Sequence, residues 1–310
     1  MRLATIDLGT NTVRLLVADI AAAGRWKAVV QDQRVTRLGE GLRASGRLAE
    51  TPMNRTAATV TEYARRAREA GAGALRIIAT SAVRDAANGR EFAIAVERAS
   101  GQAVEIVSGE EEARLTIRGI VAGLGTAQGR LLLAFDIGGG STEYILAHAG
   151  RVETAISLRL GVVPLSERFP CPMRVDVDRY RAMESEIRHG LEQELPDAVR
   201  ASGVADLVGT AGTVTTLAAL DLGLRSYDAE RVQGHRLSRA AIEKLRDRLC
   251  MLTQDERGRL PCLEPGRADL IVPGVAIVLA SLDVTRTDAV VVSDWGLREG
   301  IMAETIERLS

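Results

Sequence analysis

One short phrase occurs twice in this chain. Asp7-Leu8-Gly9-Thr10-Asn11-Thr12 and Asp136-Ile137-Gly138-Gly139-Gly140-Ser141-Thr142 each follow an apolar run, Leu3 to Ile6 and Leu131 to Phe135. Each leads into a second strand-like run rather than a helix. A glycine-hydroxyl turn between two strands presents several backbone N–H groups to one anion. An aspartate at the end of the first strand can hold a divalent cation beside that anion. A lone Asp-x-Gly is an ordinary hairpin turn. Two copies at equivalent points of two similar halves point instead to two related domains gripping one phosphate chain, through Gly9, Thr10 and Asn11 on one side and Gly138, Gly139, Gly140 and Ser141 on the other.

The surrounding pattern repeats as well. Residues 13–20 are almost unbroken apolar sequence, Ala23-Gly24 makes a turn, and residues 26–35 read as a third strand. In the second copy the strands are 143–148 and 152–160, with Ala149-Gly150 between them. Helix and strand then alternate. Pro52 sits in a first helical turn, where proline is tolerated, and Met53, Ala57, Val60, Ala64 and Ala67 mark one face of a helix ending near Gly71. Strands at 75–79 and 103–107 flank a helix at about 89–99. Ser108-Gly109-Glu110-Glu111 has the form of a capping box opening a helix to about Val121.

Gly123-Leu124-Gly125-Thr126, with Gln128-Gly129, marks the boundary before the second meander. Beyond it come helices at 175–195, 214–220, 239–252, 268–282 and 297–309, and strands at 206–209 and 289–293. A meander plus alternating elements, given twice, predicts two α/β domains with mixed sheets.

Other motifs carry alternatives. Gly209-Thr210-Ala211-Gly212-Thr213 lies between a strand and a helix and is either a plain helix cap or a further anion site at a helix amino terminus. Glu110, Glu111 and Glu112 open a helix, where carboxylates suit the dipole. Successive positions point about 100° apart, so Glu111 can cap while Glu112 addresses a cleft between the domains. Arg84, just past a strand, either reaches phosphate oxygens or pairs with Asp85 or solvent. No Gly-x-x-x-x-Gly-Lys-Ser/Thr is present, and Gly123-Leu124-Gly125 precedes a strand, whereas a dinucleotide fingerprint follows one.

Composition narrows the classes. Hydrophobic residues make up 46% of 310, enough for two cores, and the formal net charge of -1 argues against a global attraction to nucleic acid or membrane. Of 40 basic residues only Lys27 and Lys244 are lysines, an arginine bias too uniform to locate a site. Cys171, Cys250 and Cys262 form no CxxC, and the three histidines are far apart, which disfavours a zinc site. The longest apolar stretch, between Asp269 and Asp283, is short of the ~20 residues of a spanning helix. No signal-peptide pattern precedes Asp7, so the expectation is a reduced, cytoplasmic protein.

Taken in order, the two glycine turns, Ser108-Gly109-Glu110-Glu111-Glu112-Ala113-Arg114, Gly209-Thr210-Ala211-Gly212-Thr213 and Gly296-Leu297-Arg298-Glu299-Gly300 resemble the exopolyphosphatase/guanosine pentaphosphate phosphatase family over essentially the whole chain. The resemblance implies the actin, sugar kinase and Hsp70 superfamily: two ribonuclease-H-like α/β domains with mixed five-stranded sheets facing an interdomain cleft. The first domain would comprise residues 1–125 plus 298–310, with the last helix packing back on it, and the second residues 126–297. The resemblance also implies roles. Glu112 would act on the attacking water, Asp136 and Glu143 would bind Mg2+ with Asp7 a further metal neighbour, and Asn11, Arg84, Gly138, Gly139 and Ser141 would contact phosphate.

The implied activity is release of terminal orthophosphate from inorganic polyphosphate, with guanosine pentaphosphate as a second substrate, in a homodimer. Longer members add carboxy-terminal helical domains with an HD-type module. This chain resembles the short form, for which shorter polyphosphates or the pentaphosphate are the expected substrates. The rival readings are an ATP-dependent kinase of the same superfamily, with its nucleotide pocket around residues 209–213, and a non-catalytic polyphosphate or alarmone sensor.

Overall fold

The structure, a computed structural model, describes residues 1–21, 25–125, 131–204 and 207–309. The expected turn at Ala23-Gly24, the Thr126 to Gly129 part of the expected boundary, and Asp206 lie outside the described residues. The chain forms two compact units, one of residues 1–119 and 297–310 and the other of residues 120–296. The division falls inside the helix Gly109–Leu124.

In the first unit, β1 (Arg2–Leu8), β2 (Thr12–Ile20), β3 (Trp26–Val35), β4 (Ala74–Ala79) and β5 (Val104–Ile106) form one sheet in the order β3-β2-β1-β4-β5. The β1–β2 and β2–β3 pairs are antiparallel, and β4 and β5 add in parallel. One face of the sheet, carrying Ile6, Leu8, Leu15 and Ile77, packs against the helices Glu50–Glu69 and Gly89–Ser100. The helix Glu50–Glu69 buries Pro52, Thr56, Val60, Tyr63, Ala64 and Ala67, while Met53 and Ala57 are only half-buried. The expected face thus packs on the core, with Met53 and Ala57 at its half-buried margin and Tyr63 added to it. The other face, with Leu3, Leu16, Ala18 and Ile78, is covered by Leu297, Ile301, Met302 and Ile306 of the carboxy-terminal helix Leu297–Leu309.

The second unit repeats the plan and extends it. β6 (Leu131–Ile137), β7 (Thr142–His148), β8 (Arg151–Leu158), β9 (Leu207–Thr210), β10 (Arg236–Ser238) and β11 (Ala289–Val292) lie in the order β10-β11-β9-β6-β7-β8. The expected five-stranded sheet is therefore six-stranded: β10, three residues long and antiparallel to β11, is an added edge. The duplication reaches fine detail. The β2–β3 ladder shifts register between Val17 and Ala18, and the β7–β8 ladder shifts between Leu146 and Ala147, at the same distance from the motif aspartate in each copy. A bulge at that point steepens the strand twist in both meanders.

The apolar stretch between Asp269 and Asp283 becomes the helix Ile271–Thr285, buried along nearly its whole length in the core of the second unit. A helix apolar all round belongs in such a place. Among the described residues no helix is long and apolar enough to cross a membrane.

Candidate active site

Both phosphate-type turns close in the same way. Gly9 N donates to Thr12 O at 3.1 Å, and Gly138 N donates to Ser141 O at 2.9 Å. In each unit the segment after the third meander strand then folds back to fix the turn. Thr36 N and Arg37 N both donate to Asn11 O, and Gly39 N donates to Thr10 O, each at 2.9 Å. Val162 N and Val163 N donate to Gly138 O and Gly139 O at 3.2 and 2.9 Å. These bonds satisfy the Thr10, Asn11, Gly138 and Gly139 carbonyls, while the Gly9 and Gly138 N–H groups are used up in closing the turns.

The second contact requires glycine. A Cβ at Gly161 would stand 2.3 Å from Gly139 O and from Gly140 C. Gly161→Ala is expected to distort the turn at a cost of roughly 1–3 kcal/mol. A lowered urea midpoint together with weakened phosphate release is the result to look for, and an unchanged midpoint would contradict it.

The cross-strand partners of the two aspartates differ. Asp136 lies directly opposite Glu143 on β7, whereas Asp7 lies opposite Arg14 on β2. Glu143 is 2% exposed, and its Oε1 accepts hydrogen bonds from Ser141 Oγ and Ser157 Oγ, both at 2.7 Å. Two carboxylates facing each other on an antiparallel pair repel, so this arrangement suits a cation between them. Asp7 is 3% exposed; Arg14 Nη1 donates to its Oδ2 at 3.3 Å, and among the described residues its Oδ1 accepts no hydrogen bond. Burial pushes the Asp7 carboxyl above the usual carboxylate range, while the Arg14 and Arg298 guanidinium groups pull it back and Glu299 raises it again.

Among the described residues no three His, Cys, Asp or Glu side chains converge as a metal-ligand cluster. Mg2+ is commonly held by one or two carboxylates with water and substrate phosphate filling its shell. Within the second unit the Asp136–Glu143 pair fits that pattern of donors, and within the first unit the open Oδ1 of Asp7 is a further carboxylate donor of the same kind.

The acidic cluster sorts its members as the helical geometry requires. Glu110 is exposed, Glu111 is half-buried and Glu112 is buried. Ser108 Oγ accepts from Glu111 N at 3.1 Å, which caps the helix Gly109–Leu124. The Glu111 carboxylate binds Arg114 Nε and Nη2 at 2.8 and 2.7 Å, and Arg114 in turn binds Glu304. The expected capping box is thus realised on its hydroxyl side, with the acid drawn off by a guanidinium fork.

Glu112 Oε2 accepts from Arg84 Nη1 at 2.8 Å, and the same nitrogen donates to Val107 O at 3.2 Å. Arg84 Nε also lies 3.5 Å from Asp85. The expected pairing of Arg84 with Asp85 is thus present, and the candidate base Glu112 is a further partner. Ser81, at the start of the same short helix Ser81–Asp85, shares a hydrogen bond with Thr10 Oγ1 at 2.8 Å. The first glycine turn, Arg84 and Glu112 are therefore held as one assembly.

Gly209-Thr210-Ala211-Gly212-Thr213 connects β9 to the helix Ala211–Asp221, which starts three residues earlier than the sequence pattern implies. Ala211 has φ +69°, unusual for a residue with a side chain. Gly212 lies under the guanidinium of Arg267: a Cβ there would meet Arg267 Nη1 at 1.7 Å. Arg267 is missed by sequence reasoning, since it ends a three-residue 3-10 helix, Pro265–Arg267, too short to carry a periodic signal, and it pairs with Glu264 at 2.9 Å. The Thr210 hydroxyl donates to Trp295 O at 3.3 Å.

Residues 16–309 match the model of the Ppx/GppA phosphatase family. The chain belongs to that family. Among Ppx/GppA relatives, exopolyphosphatase 2 of Mycobacterium tuberculosis is 36% identical over 97% of this chain and 97% of its own. The crystal structure of the Aquifex aeolicus member of the family is 32% identical and superposes with a TM-score of 0.83 over 100% and 99% of the two chains. An exopolyphosphatase from Cytophaga hutchinsonii, 27% identical, reaches a TM-score of 0.91 over 99% and 98%. The resemblance drawn from the motifs is borne out, as is the actin-like α/β fold. Membership makes the chain a hydrolase of phosphoanhydride bonds.

Proposed function

We propose that this chain is a divalent-cation-dependent exopolyphosphatase that releases terminal orthophosphate from inorganic polyphosphate, and that it also converts guanosine pentaphosphate to the tetraphosphate. The observation that carries the reading is the Arg84–Glu112 pair at 2.8 Å, a buried carboxylate beside a guanidinium that can reach phosphate oxygens. A relative called exopolyphosphatase, aligned over nearly the full length of both chains, supports polyphosphate as the substrate.

In this reading the N–H groups of Thr10 and Asn11 in one turn, and of Gly139, Gly140 and Ser141 in the other, bind phosphate oxygens, while those of Gly9 and Gly138 close the turns. Arg84 moves part of its hydrogen bonding from Glu112 to the terminal phosphate, and the released Glu112 carboxylate orients water and takes its proton. Little covalent chemistry is asked of the protein, since phosphoryl transfer is governed by positioning and charge neutralisation. Asp136 and Glu143 of the second unit would hold a divalent cation such as Mg2+, which would supply that neutralisation, and Asp7 of the first unit is a further candidate carboxylate for it.

The test is a substrate panel. Purified protein with Mg2+ is given polyphosphate, guanosine pentaphosphate and ATP separately, and released orthophosphate is measured. Polyphosphate is expected to be turned over fastest and ATP slowest. ATP turnover above both would favour a kinase-type ancestry of the site, and binding without any phosphate release would make the chain a sensor.

A further inference from the structure

Glu111 and Glu112 stand in the first turn of the helix Gly109–Leu124, and the fork between Glu111 and Arg114 is local to that helix. A pair three positions apart on one helix stiffens the turn but ties it to nothing else. The tie comes from the carboxy-terminal helix Leu297–Leu309. Glu304 on that helix is 6% exposed; its Oε1 accepts from Arg114 Nη2, and its Oε2 accepts from Arg76 Nη1 at 2.9 Å. Arg76 is anchored in β4, where its Nε and Nη2 donate to Glu105 of β5 at 2.9 and 2.7 Å. Arg308 Nη2 adds a further contact to Glu304 Oε2 at 3.0 Å.

One buried carboxylate thus bridges the sheet of the first unit to the turn that carries Glu112. Burial alone would raise the Glu304 carboxyl, yet Arg76 and Arg114 hold it below the usual carboxylate range. It stays charged at neutral pH and keeps both bridges as charge-assisted hydrogen bonds. The other contacts between the two helices leave rotation unspecified. Leu115 shares an apolar cluster with Leu297 and Ile301, and apolar contact has no preferred direction. The close approach at Gly300, where a Cβ would lie 1.8 Å from Leu115 O, sets the spacing.

Rotation decides where Glu112 points. Arg114 and Glu112 are two positions apart, about 200° around a helix of 3.6 residues per turn. Glu304 therefore grips the first turn on one side, and Arg84 grips it on nearly the opposite side through Glu112 Oε2 at 2.8 Å. The geometry points to Glu304 as a positioning residue for the reaction, which through Arg114 sets the roll of the first helical turn and so the place of the Glu112 carboxylate. This deepens the proposed function and rests on its reading of Glu112 as the group that acts on water. Glu304 touches neither substrate nor the reacting atoms in that reading, so its loss should slow turnover and leave binding alone.

The experiment is a double-mutant cycle between positions 304 and 112. Orthophosphate release from Mg2+-polyphosphate is measured for wild type, Glu304→Gln, Glu112→Gln and the double variant, with a urea midpoint for each so that only folded protein is compared. Glu304→Gln is expected to lower kcat about 10–100-fold, the scale for a catalytic group displaced by about 1 Å, with KM within about threefold of wild type. Added to Glu112→Gln, the same substitution should change kcat by less than about twofold, because the group it positions is already gone. A merely structural role would cost the same factor in both backgrounds and overturns the proposal, as would a loss expressed in KM instead of kcat.

Arg114→Gln severs the same bridge from its half-buried end and carries the cycle if Glu304→Gln does not fold; it should give the same loss in kcat and the same coupling to Glu112→Gln. Glu105→Gln removes a partner of Arg76 outside the bridge and should leave kcat within about twofold of wild type. A loss there equal to that of Glu304→Gln would show that any weakening of the network slows turnover, and would overturn the assignment. If Glu112→Gln loses turnover while both Glu304→Gln and Arg114→Gln keep it, the role of Glu304 fails and the reading of Glu112 stands. If Glu112→Gln itself keeps near-wild-type turnover, the reading of Glu112 fails and Glu304 has nothing to position.

Discussion

Glu112→Gln is expected to lower kcat for orthophosphate release by about 10²–10⁴-fold, the usual worth of general-base help, while polyphosphate binding persists. The substitution keeps the shape of a side chain that is 8% exposed and keeps an amide oxygen able to accept from Arg84 Nη1. What it removes is the basic lone pair and the negative charge. The loss of charge weakens the hold on Arg84, so binding of the terminal phosphate should be unchanged or tighter. The measurement is kcat against Mg2+-polyphosphate alongside equilibrium binding of labelled polyphosphate. Near-wild-type turnover would remove Glu112 from the chemistry. Loss of binding in step with loss of turnover would make the Arg84–Glu112 pair a structural brace instead. Arg84→Ala gives the complementary pattern, with binding weakened first, because it takes away the group that exchanges partners.

Much of this fold was legible because the signal was local and stated twice. Strand, glycine turn, strand and second turn are each fixed by residues within a few positions, and β3 follows its sequence pattern from Trp26 to Val35. What escaped depends on packing between distant segments. The edge strand β10 is three residues long and exists only because β11 offers it a partner. The helix Val162–Arg168 was hidden behind Val162-Val163, which continue the look of a strand, while the bonds from Val162 N and Val163 N to the glycine turn draw the chain into a helix. The early start of the helix Ala211–Asp221 is a tertiary effect too, since Gly212 and Thr213 are poor helix formers held under Arg267 and against Gly274.

At the candidate site, helical geometry told Glu112 apart from Glu111, and the resemblance, through the glutamate that precedes Ala113-Arg114, singled out Glu112. The Arg14 partner of Asp7 could in principle have been counted across the hairpin, since it occupies the same step after the aspartate as Glu143 does in the other copy. The ion pair between Arg84 and Glu112 joins two segments with no shared pattern, and only the folded chain brings it into view.

The second large effect expected is a trade of stability against activity at Asp136. Asp136 and Glu143 are direct cross-strand partners, and Glu143 is buried. With no cation between them their repulsion costs the folded state roughly 0.2–1 kcal/mol. Asp136→Asn removes that repulsion, leaves the backbone ladder intact and keeps Glu143 bonded to Ser141 and Ser157. In EDTA the variant should therefore melt at or slightly above the wild-type temperature.

Added Mg2+ should raise the melting temperature of the wild type, because a ligand that binds only the folded chain stabilises it, and should have little effect on the variant. Activity should move the other way and fall by about 10²–10³-fold, the equivalent of a few kcal/mol of lost charge neutralisation at the transferring phosphoryl group. A residue kept only for packing would lose stability and activity together. Carboxylates held face to face and drawn together by a bound cation predict opposite signs for the two readouts, and a variant destabilised in EDTA as well as inactive would show that Asp136 serves the fold rather than the metal.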